Sequence, residues 1–213
     1  MIELKTPWLE RGDRLVCFGD SLTACKTGYV EILDKELTTR GITVTNAGLG
    51  GDKTPWALTR LQADVIERKP SAVSIFLGTN DAAVGRGRWA DEPVVTPEAY
   101  RSNLVWIVHL CRLSGIAKFS ITPPLWRFEG ESWREFGDIM APYCLMAREA
   151  AAACGARFVP ADIAVAEEWA RHPGHTGVLL TCEGCHPTAE GYALIARTMM
   201  QAWGLHNHQP VGL

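Results

Sequence analysis

No stretch of this sequence is apolar for long enough to cross a bilayer. Its start, Met1-Ile2-Glu3-Leu4-Lys5-Thr6-Pro7, lacks the basic stretch and apolar run of a leader. On that reading there is no transmembrane segment, and the protein is expected in the cytoplasm. Runs of five or six like charges are also missing, and the net charge is only −3 with a pI of about 6.1. That excludes a surface built to track a phosphate backbone or an anionic membrane, so no nucleic-acid partner is expected. Internal repeats, low-complexity tracts and linkers are absent, so residues 1–213 are expected to form a single domain. The cysteines number seven, an odd count that fits a reducing compartment better than a disulfide framework. Cys17 and Cys111 fall on apolar periodic positions and read as core. No heptad stands out, so the sequence names no oligomeric state.

What is present is an alternation of short apolar runs with helical periodicities. Leu15-Val16-Cys17-Phe18 reads as a strand, and Tyr29, Leu33 and Leu37 then repeat at helical spacing up to Gly41. Ile42-Thr43-Val44-Thr45 reads as a second strand, followed by Thr54-Pro55 as the N-cap and first position of a helix bearing Leu58, Leu61 and Val65. Ala72-Val73-Ser74-Ile75-Phe76-Leu77 is the clearest strand, apolar enough to be covered on both faces. Thr96-Pro97 opens a helix with Tyr100, Leu104, Ile107 and Cys111 on one side. Phe119-Ser120-Ile121-Thr122, an alanine-rich helix ending at Cys154-Gly155, a strand over Arg157-Phe158-Val159, and a helix with Tyr192, Ile195, Met199 and Trp203 complete the chain. Such alternation predicts an α/β fold: a five-stranded parallel sheet between helical layers, flavodoxin-like.

In such sheets, ligands bind beyond the carboxyl ends of the strands, above all where strand order reverses. With the order 2-1-3-4-5, three loops become neighbours: Gly19-Asp20-Ser21-Leu22-Thr23, Gly50-Gly51-Asp52 and Gly78-Thr79-Asn80-Asp81. Ser21 at a strand-to-helix turn has an exposed hydroxyl and an N–H at a helix N-terminus, which suits a nucleophile. The plainer alternative is that Asp20 or Ser21 only caps the helix. Gly51 can offer an unshielded N–H and Asn80 a side-chain amide to an oxyanion, although each taken alone is an ordinary turn residue. A base is supplied by His186 in Glu183-Gly184-Cys185-His186-Pro187. The other histidines fit less well. His109 lies on a helix, His172 and His175 in a Pro-Gly loop, and His206 and His208 in a polar tail.

Taken in order, these blocks resemble the SGNH or GDSL hydrolases, a family of GDSL-like lipases, acylhydrolases and esterases. Gly19-Asp20-Ser21-Leu22 is similar to the nucleophile block, Gly51 and Asn80 fall in the second and third, and Gly184-Cys185-His186-Pro187 with Gly191-Tyr192 is similar to the last. The resemblance implies a three-layer α/β/α fold and hydrolysis of esters or thioesters. It also implies Ser21 as nucleophile, His186 as base, and Ser21, Gly51 and Asn80 as oxyanion donors, with no cofactor. The chain departs from the family at one place: Glu183 stands where an aspartate is usual, and a glutamate can hold the imidazole tautomer in the same way. The expected partner is a small-molecule ester, such as an acylated carbohydrate or a lipid.

Three other readings start from the same residues. Cys182-x-x-Cys185-His186 matches c-type haem attachment, which would consume His186 as an iron ligand. His172, His175, Cys182 and Cys185 have a spacing compatible with a structural zinc, although no metal is expected. A non-catalytic ligand-binding module of the same fold is the third. Substrate choice is assigned to the loops Val84 to Val95 and Leu125 to Asp138, where Trp89, Trp126 and Trp133 either line a cleft or pack the loops down.

Overall fold

Successive side chains of a strand point to opposite faces, and β1 (Arg14–Gly19) shows what that does here. Leu15 and Cys17 enter one apolar core, while Val16 and Phe18 enter another. β3 (Ala72–Phe76) divides its residues in the same way: Ala72 and Phe76 join the first core, Val73 and Ile75 the second. The computed structural model that shows this describes residues 7–82, 91–126, 129 and 137–205. With β2 (Thr43–Gly48), β4 (Lys118–Thr122) and β5 (Arg157–Phe158) these strands form one parallel sheet in the order β2-β1-β3-β4-β5. The order and the parallel pairing are those expected from the sequence.

Helices cover both faces. On the first lie α2 (Tyr29–Thr38), α6 (Ala161–Ala170) and α7 (Ala189–Ala202); on the second lie α3 (Thr54–Asp64), α4 (Pro97–Leu113) and α5 (Ala141–Cys154). Each main helix buries the stripe its periodicity specified: Tyr29, Leu33 and Leu37 on α2, Tyr100, Leu104, Ile107 and Cys111 on α4. Their ends follow capping rules. Thr96 accepts the Ala99 N–H ahead of Pro97, Thr188 accepts the Gly191 N–H, and Gly155 closes α5 in the left-handed region at φ +61°. At the end of α7, Trp203 is fully buried with its ring 5.1 Å from that of Trp8.

The structure corrects three boundaries. Helix α6 follows β5 directly and had no counterpart in the sequence reading. β5 stops at Phe158, because Val159 adds one more bond to Ile121 O at 2.9 Å and Pro160 then has no N–H to offer. Thr54 is not the cap of α3 but its first residue. Its N–H donates to both carboxylate oxygens of Asp81 at 3.2 Å, and its hydroxyl also donates to Asp81. The end of α3 is thus capped from the loop after β3, by a residue distant in sequence.

A very short helix, α1 (Ser21–Ala24), sits on the carboxyl ends of β1 and β2. Gly48 makes that approach possible, because a Cβ there would run into the backbone of Thr23 and Ala24.

Candidate active site

The first loop leaves β1 at Gly19, and Asp20 is the residue that caps α1, accepting the Leu22 N–H at 3.0 Å. The capping alternative therefore holds for Asp20 and leaves Ser21 at the first helical position. There its own N–H is one of those a helix leaves without an intrahelical partner. Its Oγ lies 3.0 Å from His186 Nε2, although 165 residues separate the two in sequence. His186 Nδ1 in turn lies 2.5 Å from Glu183 Oε1, and the same oxygen accepts the His186 backbone N–H at 2.9 Å. The extra methylene of glutamate is accommodated by folding the carboxylate back over its own loop.

The second and third loops are joined to each other. Gly51 has φ +76°, a conformation that favours glycine, in a turn closed by Asp52 N–H to Leu49 O at 3.2 Å. Asn80 Nδ2 donates to Asp52 O at 3.1 Å, which fixes the amide against the Gly51 turn. A side-chain amide carries two N–H groups, so one remains after that bond. Pockets of about 410 Å³ and 400 Å³ open at this edge: one is lined by Ser21, Cys25, His186 and Tyr192, the other by Leu49, Gly51 and Trp56.

Two positioning side chains escaped the sequence reading. Arg60 of α3 donates to Gly19 O, Ala47 O and Asp52 Oδ2 at 2.8–2.9 Å while stacking 4.3 Å above the Phe18 ring. Glu129 is buried, and its carboxylate accepts the Leu180 N–H at 2.8 Å, the Thr181 N–H at 2.9 Å and the Thr181 hydroxyl at 2.6 Å. Thr181 Oγ1 then accepts the Gly184 N–H at 2.8 Å, and the Cys182 N–H donates to His186 O at 2.7 Å. The loop carrying Glu183 and His186 is therefore cross-braced and hung from Glu129. Burial raises the Glu129 pKa, but the amides and hydroxyl that it accepts outweigh burial and hold it below the ordinary value. No motif marks either residue. Arg60 falls on the polar side of α3, and Glu129 lies in a tryptophan-rich loop, so only the fold reveals their partners.

Acidic groups near Ser21 behave in the opposite way. Burial, reinforced by the neighbouring Asp81 and Asp52 charges, pushes Asp20 up to about 7. Burial likewise carries Asp81 to about 6 against its two bonds from Thr54.

The remaining candidates do not join the site. His172 pairs with Glu168 at 3.5 Å and His175 contacts Val178 O at 3.1 Å. Among the described residues, the one group of three metal-binding side chains that converges is Glu183, Cys185 and His186, so the four-residue zinc set of His172, His175, Cys182 and Cys185 does not form. Both ring nitrogens of His186 already have protein partners, Ser21 Oγ and Glu183 Oε1, so a haem iron could bind the ring only by displacing one of them. His109 is exposed and edge-on to Trp106 at 5.4 Å. Trp126 packs on the core of the α4–α5 face, as a loop anchor does. Trp89, Trp133, His206 and His208 lie outside the described residues. Cys17 and Cys111 are buried as expected, and burial pushes both thiols up to about 12.

Two measurements test the framework. Glu129→Gln sets an NH₂ against the Thr181 donors, so it should lower stability by about 1–3 kcal/mol in urea unfolding, the cost of a buried donor left unmade. An unchanged midpoint would show that the brace is dispensable. Asp20→Asn keeps the acceptor for Leu22 but removes the titration. A carboxyl with a raised folded pKa stabilises fully below its unfolded value of 3.8, and that stability is lost as pH climbs through about 7. The variant should show a flatter fall in stability across that window. Superimposable wild-type and variant profiles would rule the titration out.

Residues 17–194, from within β1 to within α7, match the sequence pattern of the GDSL-like lipase/acylhydrolase family. An uncharacterized lipoprotein of Bacillus subtilis is 34% identical over 118 residues, covering 51% of this chain and 47% of that protein. An esterase of Pseudomonas aeruginosa is 32% identical over 108 residues, covering 47% of this chain and 49% of its own. The chain thus spans about half the length of the curated relatives it matches. In three dimensions, an acetylxylan esterase from Geobacillus stearothermophilus superimposes with a TM-score of 0.79 at 24% identity, covering 92% of this chain and 96% of that one, a likeness of fold. Since the family pattern takes in all four loops that meet at the carboxyl edge of the sheet, this chain belongs to the GDSL-like lipase/acylhydrolase family.

Proposed function

We propose that the protein is a carboxylic ester hydrolase with Ser21 as nucleophile, His186 as general base and Glu183 as the carboxylate that orients the imidazole. The observation that carries this reading is the continuous chain Ser21 Oγ, His186 Nε2, His186 Nδ1, Glu183 Oε1, with steps of 3.0 and 2.5 Å across its two hydrogen bonds. A carboxylate accepts and cannot donate, so Glu183 draws the ring proton to Nδ1 and leaves the Nε2 lone pair facing Ser21. Support also comes from the Pseudomonas aeruginosa relative, an esterase. The Geobacillus stearothermophilus acetylxylan esterase adds to it: catalytic mutants of that enzyme replace a serine, an aspartate or a histidine by alanine.

In the proposed reaction, Oγ attacks the acyl carbon as its proton passes to Nε2. The negative charge that develops on the carbonyl oxygen meets the Ser21 N–H, the Gly51 N–H and the second Asn80 N–H. Collapse of the tetrahedral adduct breaks the ester C–O bond while Nε2 returns the proton to the leaving oxygen. Water then repeats the sequence on the acyl-enzyme, so the net change is one ester and one water to an acid and an alcohol. The substrate is a small-molecule ester, and an acylated carbohydrate or a lipid fits the same chemistry.

A p-nitrophenyl ester series from acetate to long acyl chains tests the reading. Wild type should turn over, and Ser21→Ala should lose about 10⁶-fold in kcat. Glu183→Gln should lose less, about 10⁴-fold, because an orienting acid costs less to remove than the nucleophile. Asn80→Ala should cost roughly 10²–10³ in kcat if its amide reaches the oxyanion. A rise in KM alone would remove Asn80 from the hole. Folded wild type inert on every ester would favour a ligand-binding module of the same fold.

A further inference from the structure

We propose that Glu183, Cys185 and His186 form an inhibitory site for a thiophilic divalent cation, Zn²⁺ above all, which disables the base by capturing its ring. Cation binding stands independently of the proposed hydrolysis; only the inhibition rests on it. The ligand atoms of the three side chains lie within 4.8 Å of one another, and no other such group of three converges among the described residues. Donors around a tetrahedral ion with bonds of about 2.0–2.3 Å stand roughly 3.3–3.8 Å apart, so small side-chain rotations close the site.

The donor chemistry selects the ion. One thiol, one imidazole and one carboxylate suit zinc, whereas calcium and magnesium take oxygen sets. Access and rigidity agree with it. The Glu183 and His186 side chains are 53% and 51% exposed, so an ion reaches them from solvent and keeps water in its fourth position. The backbone between them is already braced, by Gly184 N–H to Thr181 Oγ1 and by Cys182 N–H to His186 O. Cys182 is not part of the group, and its Sγ faces Pro187 O at 3.9 Å. The leftover Cys182-x-x-Cys185-His186 motif thus divides, with one cysteine facing the ion and the other facing its own loop.

Inhibition follows from proton bookkeeping on the ring. The Glu183 oxygen lies against Nδ1, so an ion held by Glu183 and His186 takes the place of the proton between them. A neutral imidazole has one proton and one lone pair. When the Nδ1 lone pair binds the ion, the proton moves to Nε2, which then has nothing with which to accept the Ser21 proton. The Cys185 proton leaves to solvent, and no electron changes hands.

Co²⁺ is the spectroscopic probe for the site. Titrated into the metal-free 213-residue chain, it should give a near-ultraviolet thiolate-to-cobalt absorption that saturates at one equivalent, vanishes in Cys185→Ser and persists in Cys182→Ser. Zn²⁺ should abolish wild-type hydrolysis of p-nitrophenyl acetate reversibly, with recovery on EDTA. Cys185→Ser should retain the metal-free rate and need at least tenfold more Zn²⁺ for half-inhibition, since even losing an outer-shell partner costs roughly 10–100-fold. Cys185→Ala should behave alike, with thermal unfolding confirming that both variants fold. A missing cobalt–thiolate absorption, one that survives Cys185→Ser, or equal zinc sensitivity in wild type and Cys185→Ser would overturn the site. An absorption that depends on Cys185 in a protein that cleaves no ester would support the site and sink the hydrolase reading instead.

Discussion

The geometry at the carboxyl edge of the sheet depends on one guanidinium. Arg60 reaches back from α3 to the Gly19 carbonyl that ends β1, to the Ala47 carbonyl near the end of β2 and to the Asp52 carboxylate, and a planar fork of five donors is the side chain that can hold three acceptors at once. Asp52 passes the constraint on through its carbonyl, which fixes the Asn80 amide. A lysine, with a single mobile ammonium, could satisfy any one of these acceptors but would not fix their relative positions. The pair is drawn into the protein, the Arg60 and Asp52 side chains being 13% and 0% exposed at a separation of 2.6 Å, and burial still raises the Asp52 pKa against the pull of the guanidinium.

Much of this architecture was legible because periodicity reports burial directly. The apolar run from Leu15 to Phe18 and the helical stripe from Tyr100 to Cys111 mark a strand and a helix whose burial the structure bears out, and their alternation along the chain specifies a parallel sheet between helices. Ser21, His186 and Glu183 were legible through motif blocks, and the fold joins all three by hydrogen bonds. What escaped notice has a common cause. Helix α6 buries only Ala161, Asp162 and Val165, too little for a stripe to show. Thr54 has the residue type and spacing of a cap, but Asp81, 27 positions away, took over that role. Arg60 and Glu129 act through backbone groups far along the chain, and a backbone carbonyl or amide carries no residue identity for a sequence to display.

The buried acids divide into two kinds according to what surrounds them. Glu129 is met by three donors, so its charged form is favoured and it serves as a fixed peg for the histidine loop. Asp20 and Asp81 are met chiefly by low-dielectric protein, with Asp81 and Asp52 charges beside Asp20 and the Asp52 charge beside Asp81, so their charged forms are disfavoured. The fold nevertheless keeps both, because each terminates a helix from within the core: Asp20 holds Leu22, and Asp81 holds Thr54.

The span of 165 residues between Ser21 and His186 also orders events in time. Strands β1 to β3 and helix α3 lie in the first half of the chain, but the imidazole arrives only with the loop ahead of α7. Closing a contact of such long range is among the slow steps of folding, and domains are synthesised from the N-terminus onward. A newly made chain therefore carries Ser21 well before it carries His186, and the hydrogen bond between them can form only once the loop ahead of α7 has been added.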